Sequence, residues 1–124
     1  MRSIDEYNKR RELEKSRKKL MRRALKEAER NAREKIKSEG RCRNPDCVSG
    51  LRAEWHHAVP RSRFGKWDTA KHSRDNAIPL CNDCHMRWHK NEPVLLRSVL
   101  LPSEVSFILT HANQAFLDLH YPEQ

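Results

Sequence analysis

The stretch CNDCHMRWH, from Cys81 to His89, constrains the fold more than any other part of the sequence, because it places two cysteines and two histidines within nine residues. Successive residues of a helix point about 100° apart, so Cys84 and His85 are directed to different sides. A zinc finger with a cysteine pair and a histidine pair also needs about a dozen residues between the pairs. The stretch therefore predicts two separate sites, one built from cysteines and one from histidines.

The two cysteines of this stretch have partners upstream. Cys42 and Cys47 form a C-x4-C pair, and Cys81 and Cys84 form a C-x2-C pair. Two such pairs are typical of a tetrahedral zinc site in which thiolates fill every position, so the predicted site is structural. A stabilising metal is also expected because only 36% of the residues are hydrophobic and the mean hydropathy is −1.00, which limits the core.

The histidines predict a second metal site. His85 and His89 are four residues apart and share one face of a helix, which is a common way to hold a metal. His56 and His57 stand as a pair shortly before Pro60, and one of them would complete a set of three imidazole ligands. Three protein ligands leave open positions for water and substrate, as in a catalytic site. Three other histidines are expected to be ordinary surface or core residues: His72, His111 and His120.

The N-terminal segment, residues 1–39, contains no Gly and no Pro and predicts one long helix from Asp5 to about Ser38, with room for one break. It holds fifteen basic and eight acidic residues, a net charge of +7, whereas the remainder carries +2. We interpret this arm as a helix that lies against phosphates. A solvated helix with i,i+4 ion pairs and a coiled-coil strand are the alternatives.

The middle of the chain predicts two short strands and a helix. AEWHHAVP is typical of a strand that Pro60 ends, and AIPL is typical of a second strand after a polar loop over residues 61–76. NDCHMRWHK predicts a helix for which Asn82 is a plausible N-cap. Gly40 is expected to end the long helix.

The C-terminal part is more apolar than the rest. One amphipathic helix is predicted from Pro102-Ser103 to Pro122, with its packing face formed by residues at helical spacing: Val105, Ile108, Leu109, Ala112, Phe116 and Leu119. The chain is thereby divided into an arm (1–39), a ligand-rich core (40–92) and a packing helix (93–124). The absence of a long apolar segment indicates no membrane span and a cytoplasmic location.

The words EWHHAVPRSR and RDNAIPLCNDCHMRWH resemble the HNH endonuclease family. They combine a His-His pair with a downstream Pro, an Asn before the second strand, and a helix with His-x3-His. The four cysteines are similar to the zinc-bearing branch that is common in phage and bacterial genes. The resemblance covers residues 41–90. The loop after the PRS element differs from that of many family members, which carry a Gly pair where this chain has only Gly65.

The resemblance implies a small α+β protein with a ββα-metal, treble-clef-like core and metal-dependent cleavage of DNA phosphodiesters. It implies His57 as the general base, Asn76 as the residue that orients the loop and His57, and Glu54 in a structural or substrate-orienting role. The catalytic metal ligands that it implies are His56, His85 and His89. Phosphodiester chemistry further suggests three phosphate-binding candidates: Arg61, Arg63 and Arg87.

Two ions are therefore expected: a structural Zn²⁺ on the four cysteines and one catalytic Mg²⁺, Mn²⁺, Ni²⁺ or Zn²⁺. DNA is the expected partner, and a phage terminase or another DNA-processing protein is a further one, with host cytoplasm as the location of a phage-encoded chain. One alternative is a zinc-ribbon-like module that binds nucleic acid without catalysis. Another is an adaptor role in a phage DNA-packaging assembly.

Overall fold

The computed structural model describes residues 3–124 of the chain, so the first two residues of the predicted 1–39 arm lie outside it. Helix α1 (Ile4–Glu39) is unbroken. At the start of this helix, the hydroxyl of Ser3 accepts a hydrogen bond from the Glu6 N–H at 3.2 Å. The helix ends where Gly40 adopts a left-handed conformation (φ 69°) and donates its N–H to the Ile36 carbonyl, as the sequence predicts.

The two predicted strands form an antiparallel pair. Strand β1 (Ala53–His57) pairs with strand β2 (Ala77–Cys81), and the register places His57 opposite Ala77. Because side chains alternate along a strand, Trp55 and His57 share one face of β1 while Glu54 and His56 share the other. This alternation directs the two histidines of the His-His pair to opposite sides of the sheet.

Helix α2 (Asn82–His89) follows β2 directly. The predicted N-cap is wrong by one residue, because the cap is Cys81 and not Asn82. The Cys81 sulfur accepts a hydrogen bond from the Cys84 N–H at 3.5 Å. A cysteine can take this place because its sulfur, like the oxygens usual at this position, accepts a hydrogen bond from the first turn. The cap thus joins the start of α2 to the predicted zinc ligands.

The loop between the strands contains three short 3₁₀ turns, at Arg61–Arg63, Thr69–His72 and Arg74–Asn76. Side chains cap two of these turns. The Asp68 carboxylate accepts a hydrogen bond from the Ala70 N–H, and the Ser73 hydroxyl accepts one from the Asp75 N–H. These caps order the loop that connects β1 to Asn76.

The C-terminal segment forms two helices instead of the single one predicted: α3 (Pro102–His111) and α4 (Gln114–His120). The helix stops because Ala112 is not helical and the Asn113 side chain caps α4, accepting from the Phe116 N–H at 2.8 Å. The predicted packing face is therefore partly wrong. Leu109 and Leu119 are 42% and 72% exposed.

The hydrophobic core is shared by β2, α2, α3 and α4. Its fully buried members include Ile78, Leu80, Leu95, Ile108 and Tyr121. A smaller cluster joins α1 to the sheet through Ala32, Ile36 and Ala77, with Trp55 packed against it. The division into three domains stays a prediction. Among the described helices, none is both long and apolar enough to cross a membrane.

A buried ionic network fixes the end of α1 against the rest of the protein. Lys35 donates to Glu104 at 2.7 Å and to the Arg74 carbonyl at 2.6 Å. Arg43 donates to the same carboxylate at 2.6 Å, and also to Glu39 at 2.6 Å. Glu104 is fully buried. The network joins α1, the loop with the first two cysteines, and α3.

Candidate metal centres and active site

The four cysteines form one cluster, as the sequence predicts. The sulfur atoms of Cys42, Cys47, Cys81 and Cys84 all lie within 4.8 Å of one another, and Cys47 and Cys81 are 3.5 Å apart. Zinc–sulfur bonds of about 2.3 Å at tetrahedral angles would place two sulfurs about 3.8 Å apart. The donor set and its spacing therefore fit a structural zinc ion with four thiolate ligands.

Neighbouring side chains donate hydrogen bonds to these sulfurs. The Asn44 amide donates to Cys84 at 3.4 Å, and the Ser49 hydroxyl donates to Cys81 at 3.4 Å. Burial raises the pKa of the Cys84 thiol to about 12, whereas the hydrogen bond with Ser49 lowers the pKa of Cys47 to about 6. A bound cation would deprotonate the buried thiol as well, because a coordinating thiol loses its proton outright.

The histidines of α2 face one another. The Nε2 atoms of His85 and His89 are 3.0 Å apart. Two imidazole nitrogens bound to one zinc ion at about 2.0–2.1 Å with tetrahedral angles would be about 3.3 Å apart. His85 is partly buried and His89 is exposed. The pair therefore fits two ligands of one ion at the surface of α2.

His56 lies deeper, next to this pair. Its ring is 5.2 Å from the His85 ring and 4.4 Å from the Trp88 ring, measured between centroids. Its Nδ1 atom is buried and has no hydrogen-bond partner among the described residues, so its lone pair is free to bind a cation. The three histidines do not, however, have all their ligand atoms within 4.8 Å. Among the residues that the structure describes, only the four cysteines form such a group.

His57 lies on the opposite face of β1. Its ring stacks on Trp55, with 4.5 Å between centroids and 13° between planes. The pKa of His57 is lowered to about 4. Burial is the largest cause, and the positive charge of Arg61 and the neighbouring His72 and His85 lower the pKa further. The side chain is therefore neutral at neutral pH. Its Nε2 is buried and has no hydrogen-bond partner among the described residues.

Asn76 holds the chain immediately after His57. Its fully buried side chain accepts from the Val59 N–H at 2.7 Å and donates to the carbonyls of Val59 and Lys71 at 3.1 and 3.0 Å. Its own carbonyl accepts from the Trp55 indole N–H at 3.2 Å. Asn76 thus acts on His57 indirectly, through the following loop and through the ring on which His57 stacks.

The four remaining predicted site residues surround this centre at different distances. Glu54 is exposed on the His56 face of β1, and its charge raises the pKa of His85 against the larger lowering effects of burial and His89. Arg61 is exposed and close enough to His57 to affect its pKa. Arg63 lies over the Phe116 ring at 4.8 Å. Arg87 forms an ion pair with Glu92 at 2.6 Å.

Sequence reasoning missed three residues of this region. Trp55 could have been found, because strand alternation places it on the face of His57. His72, expected to be an ordinary residue, lies 5.4 Å from the Trp55 ring and 6.1 Å from the His57 ring. Tyr121 contacts His56 from the far end of the chain, and no local pattern indicates it.

An antiparallel strand pair followed directly by a helix, with four cysteines clustered as a candidate metal site, defines a small α+β domain. Residues 40–91 match the family model described as HNH endonuclease, and this part of the chain is an HNH endonuclease domain. The match confirms the resemblance and leaves α1 and the C-terminal helices outside it. No curated protein and no solved structure matches the chain.

Proposed function

We propose that the protein is a metal-dependent endonuclease that hydrolyses DNA phosphodiester bonds. The observation that carries this proposal is the placement of His56 and His57 on opposite faces of β1 inside an HNH domain. His56 faces the imidazole pair of α2, whereas His57 is a separate, neutral imidazole. Under this proposal, adjacent residues of one strand would supply a metal ligand and the base.

His57 is the proposed general base. Because burial keeps it neutral, its free nitrogen can take a proton from water as the water oxygen attacks phosphorus. A phosphate beside His57 would favour the charged imidazolium, since an opposite charge raises the pKa of a histidine. Stacking on Trp55 and the hydrogen bonds of Asn76 would hold the ring in place during this transfer.

The proposed ligands of the catalytic ion are His56, His85 and His89. A divalent ion bound there would supply positive charge next to the reacting phosphate and the departing oxygen. Three imidazoles suit Zn²⁺ or Ni²⁺, while Mg²⁺ and Mn²⁺ are further candidates. Arg61 would bind a phosphate oxygen, and Arg63 and Arg87 would do so only after leaving their present partners.

Helix α1 supports nucleic acid as the substrate. Seven exposed basic residues follow one another at intervals of three or four, and we call them the basic stripe: Lys15, Lys19, Arg23, Lys26, Arg30, Arg33 and Lys37. At 100° per residue they fall within a sector of about 80°, over about 33 Å of helix. That length is close to the roughly 34 Å of one DNA turn. Its C-terminal members, Arg33 and Lys37, line a cleft beside Glu54 and Trp55.

The stripe is little neutralised by neighbouring carboxylates. Among the described residues, only Lys15 and Arg33 of the stripe have an acidic partner, Glu12 at 3.8 Å and Glu29 at 2.7 Å. The charge is therefore available to phosphates along most of the helix. A partner such as a terminase, and a cytoplasmic location, stay predictions.

A plasmid-nicking assay with purified, zinc-loaded protein tests the proposal. We expect cleavage that depends on added divalent metal and that falls at least about 100-fold in His57→Ala, because a general base contributes roughly 10²–10⁴-fold. His111→Ala, an exposed histidine of α3, is the matched control and should cleave like the wild type. Full activity of His57→Ala, or cleavage that survives EDTA unchanged, would contradict the mechanism.

A non-catalytic module that binds nucleic acid is the second candidate. It is favoured by one observation, that the cysteines and not the histidines form the compact ligand group in the described residues. Such a module would bind DNA through the basic stripe and show no metal-dependent nicking with any of the four candidate ions. The same assay, combined with a DNA-binding measurement, separates the two candidates.

A further inference from the structure

Tyr121 lies just beyond α4, outside the matched HNH segment, and its side chain is fully buried. Its hydroxyl contacts two groups at once. It donates to the Ala58 carbonyl at 2.7 Å, and it lies 2.9 Å from Nε2 of His56. The C-terminal segment therefore reaches His56 of β1 directly.

A count of hydrogens assigns the direction of both bonds. A tyrosine hydroxyl has one hydrogen, and a carbonyl oxygen can only accept. The hydrogen of Tyr121 is therefore used on Ala58, and the contact with His56 is a hydrogen bond only if Nε2 carries the proton and donates it. In a neutral imidazole the other nitrogen, Nδ1, then has the free lone pair.

That lone pair has no partner among the residues that the structure describes. Nδ1 of His56 is buried and makes no hydrogen bond to them, while the ring lies near those of Trp88 and His85. An acceptor that is buried without a partner costs free energy, so such a group calls for an explanation. A cation bound next to His85 would satisfy Nδ1, because a ligating histidine offers its lone pair and donates its other ring N–H to a neighbouring group.

We propose that Tyr121 is a positioning residue of the metal site, which holds His56 in the Nε2-protonated tautomer so that Nδ1 is the ligating atom. This rests on the proposed function, because it assumes that the three histidines bind the catalytic ion. The tail beyond the HNH segment is then a functional part of the site and not only a packing helix.

The backbone around Tyr121 is held by contacts that do not involve its hydroxyl. The Tyr121 N–H donates to the Leu117 carbonyl at 2.9 Å, and the Arg97 N–H donates to the Pro122 carbonyl at 2.9 Å. Arg97 also pairs with Asp118 at 2.6 Å and with Glu123 at 3.0 Å. We therefore expect Tyr121→Phe to keep the fold while it removes the oxygen that accepts from His56.

The first test uses calorimetry to measure nickel binding to the zinc-loaded full chain. The zinc content is measured before and after the titration. We expect Tyr121→Phe to keep its zinc and to bind Ni²⁺ about 10- to 100-fold more weakly, the usual effect of removing an outer-shell partner. Tyr7→Phe is the matched control, because it makes the same change on exposed α1. His56→Ala should abolish this nickel binding.

The tautomer of His56 is the second readout, from long-range ¹H–¹⁵N spectra of zinc-loaded protein without nickel, assigned with His56→Ala. The wild type should show the Nε2–H form, and Tyr121→Phe should lose that preference. An Nδ1–H tautomer in the wild type overturns the proposal even if Tyr121→Phe does not fold. The proposal is also overturned if Tyr121→Phe or His56→Ala binds nickel as tightly as the wild type does. It is overturned as well if the wild-type protein binds no nickel.

The two proposals fail in different ways. A wild type that binds nickel through His56 with the expected tautomer, yet cuts no DNA, would refute the nuclease and leave the role of Tyr121 intact. A wild type that cuts DNA, with Tyr121→Phe binding nickel equally well, would refute the role of Tyr121 and leave the nuclease intact.

Discussion

Replacement of Glu104 by Gln tests whether α1 is an integral part of the fold. The Glu104 carboxylate accepts four hydrogen bonds, from Lys35 at 2.7 Å, from Arg43 at 2.6 and 3.1 Å, and from the Leu101 N–H at 2.7 Å. Burial raises the pKa of Glu104, but the hydrogen bonds from Arg43 and Lys35 outweigh this effect, and the net pKa is below the ordinary value. The carboxylate is therefore charged in the folded protein.

Glu104→Gln keeps the size of the side chain and removes its charge. The two cations that it leaves behind are almost inaccessible, with side-chain exposures of 10% for Lys35 and 12% for Arg43. Arg43 keeps its pair with Glu39 at 2.6 Å, so Lys35 is the cation that loses its carboxylate. Breaking a buried pair by removal of one partner costs about 3–5 kcal/mol, because an uncompensated charge remains inside. For a chain of this size, that loss lowers the melting temperature by roughly 10–20 °C.

The dependence on pH has a definite sign. Because folding lowers the pKa of Glu104, its contribution is fully present above the unfolded pKa of about 4.3 and is lost as pH falls through the lower folded value. The stability difference between wild type and Glu104→Gln should therefore be largest near neutral pH. It should shrink as pH falls below about 4.

Urea unfolding of the zinc-loaded proteins, followed by circular dichroism at fixed free zinc, measures the difference. Glu14→Gln makes the same chemical change at an exposed pair with Lys18, where the carboxylate side chain is 62% exposed, and should cost less than about 0.5 kcal/mol. A loss below about 1 kcal/mol for Glu104→Gln would refute the reasoning, since it lies far under the range for a broken buried pair.

Two further changes test the cysteine cluster and the basic stripe. Cys84→Ser should lose zinc and the folded far-ultraviolet spectrum together, because a structural zinc contributes its binding free energy to folding; a folded, zinc-free variant would contradict the structural role. Changing Arg23, Lys26 and Arg30 to Gln should weaken the binding of duplex DNA, measured by fluorescence anisotropy. The slope of the logarithm of the binding constant against the logarithm of the salt concentration should become smaller by about 0.9 for each phosphate that the variant no longer neutralises. An unchanged slope would exclude the stripe as a phosphate-binding surface. The control makes the same change at three exposed basic residues outside the stripe: Arg10, Arg17 and Lys18.

The parts of the fold that the sequence predicts are those that local chemistry determines. Cysteine spacing predicts the ligand cluster because thiolate geometry allows few other arrangements. Strand alternation and helical spacing predict that His56 and His57 separate and that His85 and His89 meet. Gly40 predicts the end of α1 because its left-handed conformation suits glycine.

The parts that the sequence does not predict depend on contacts between distant segments. Tyr121 and His56 are 65 residues apart, and Lys35 and Glu104 are 69 residues apart, so no periodicity links either pair. The break between α3 and α4 is a similar case. Apolar spacing continues through it, but Ala112 leaves the helical conformation and the Asn113 side chain caps a second helix, which buries Phe116 and Leu117.

The cysteine cluster affects the orientation of the histidine site, because residues of both sites lie at the start of α2. Cys81 caps the helix, Cys84 lies in its first turn, and His85 follows immediately. At 100° per residue, a shift of the helix start by one residue would rotate His85 and His89 away from His56 by that angle. A zinc ion held by Cys81 and Cys84 would prevent such a shift. It would therefore contribute to the proposed hydrolysis without contacting substrate, by fixing the direction in which the two histidines of α2 point.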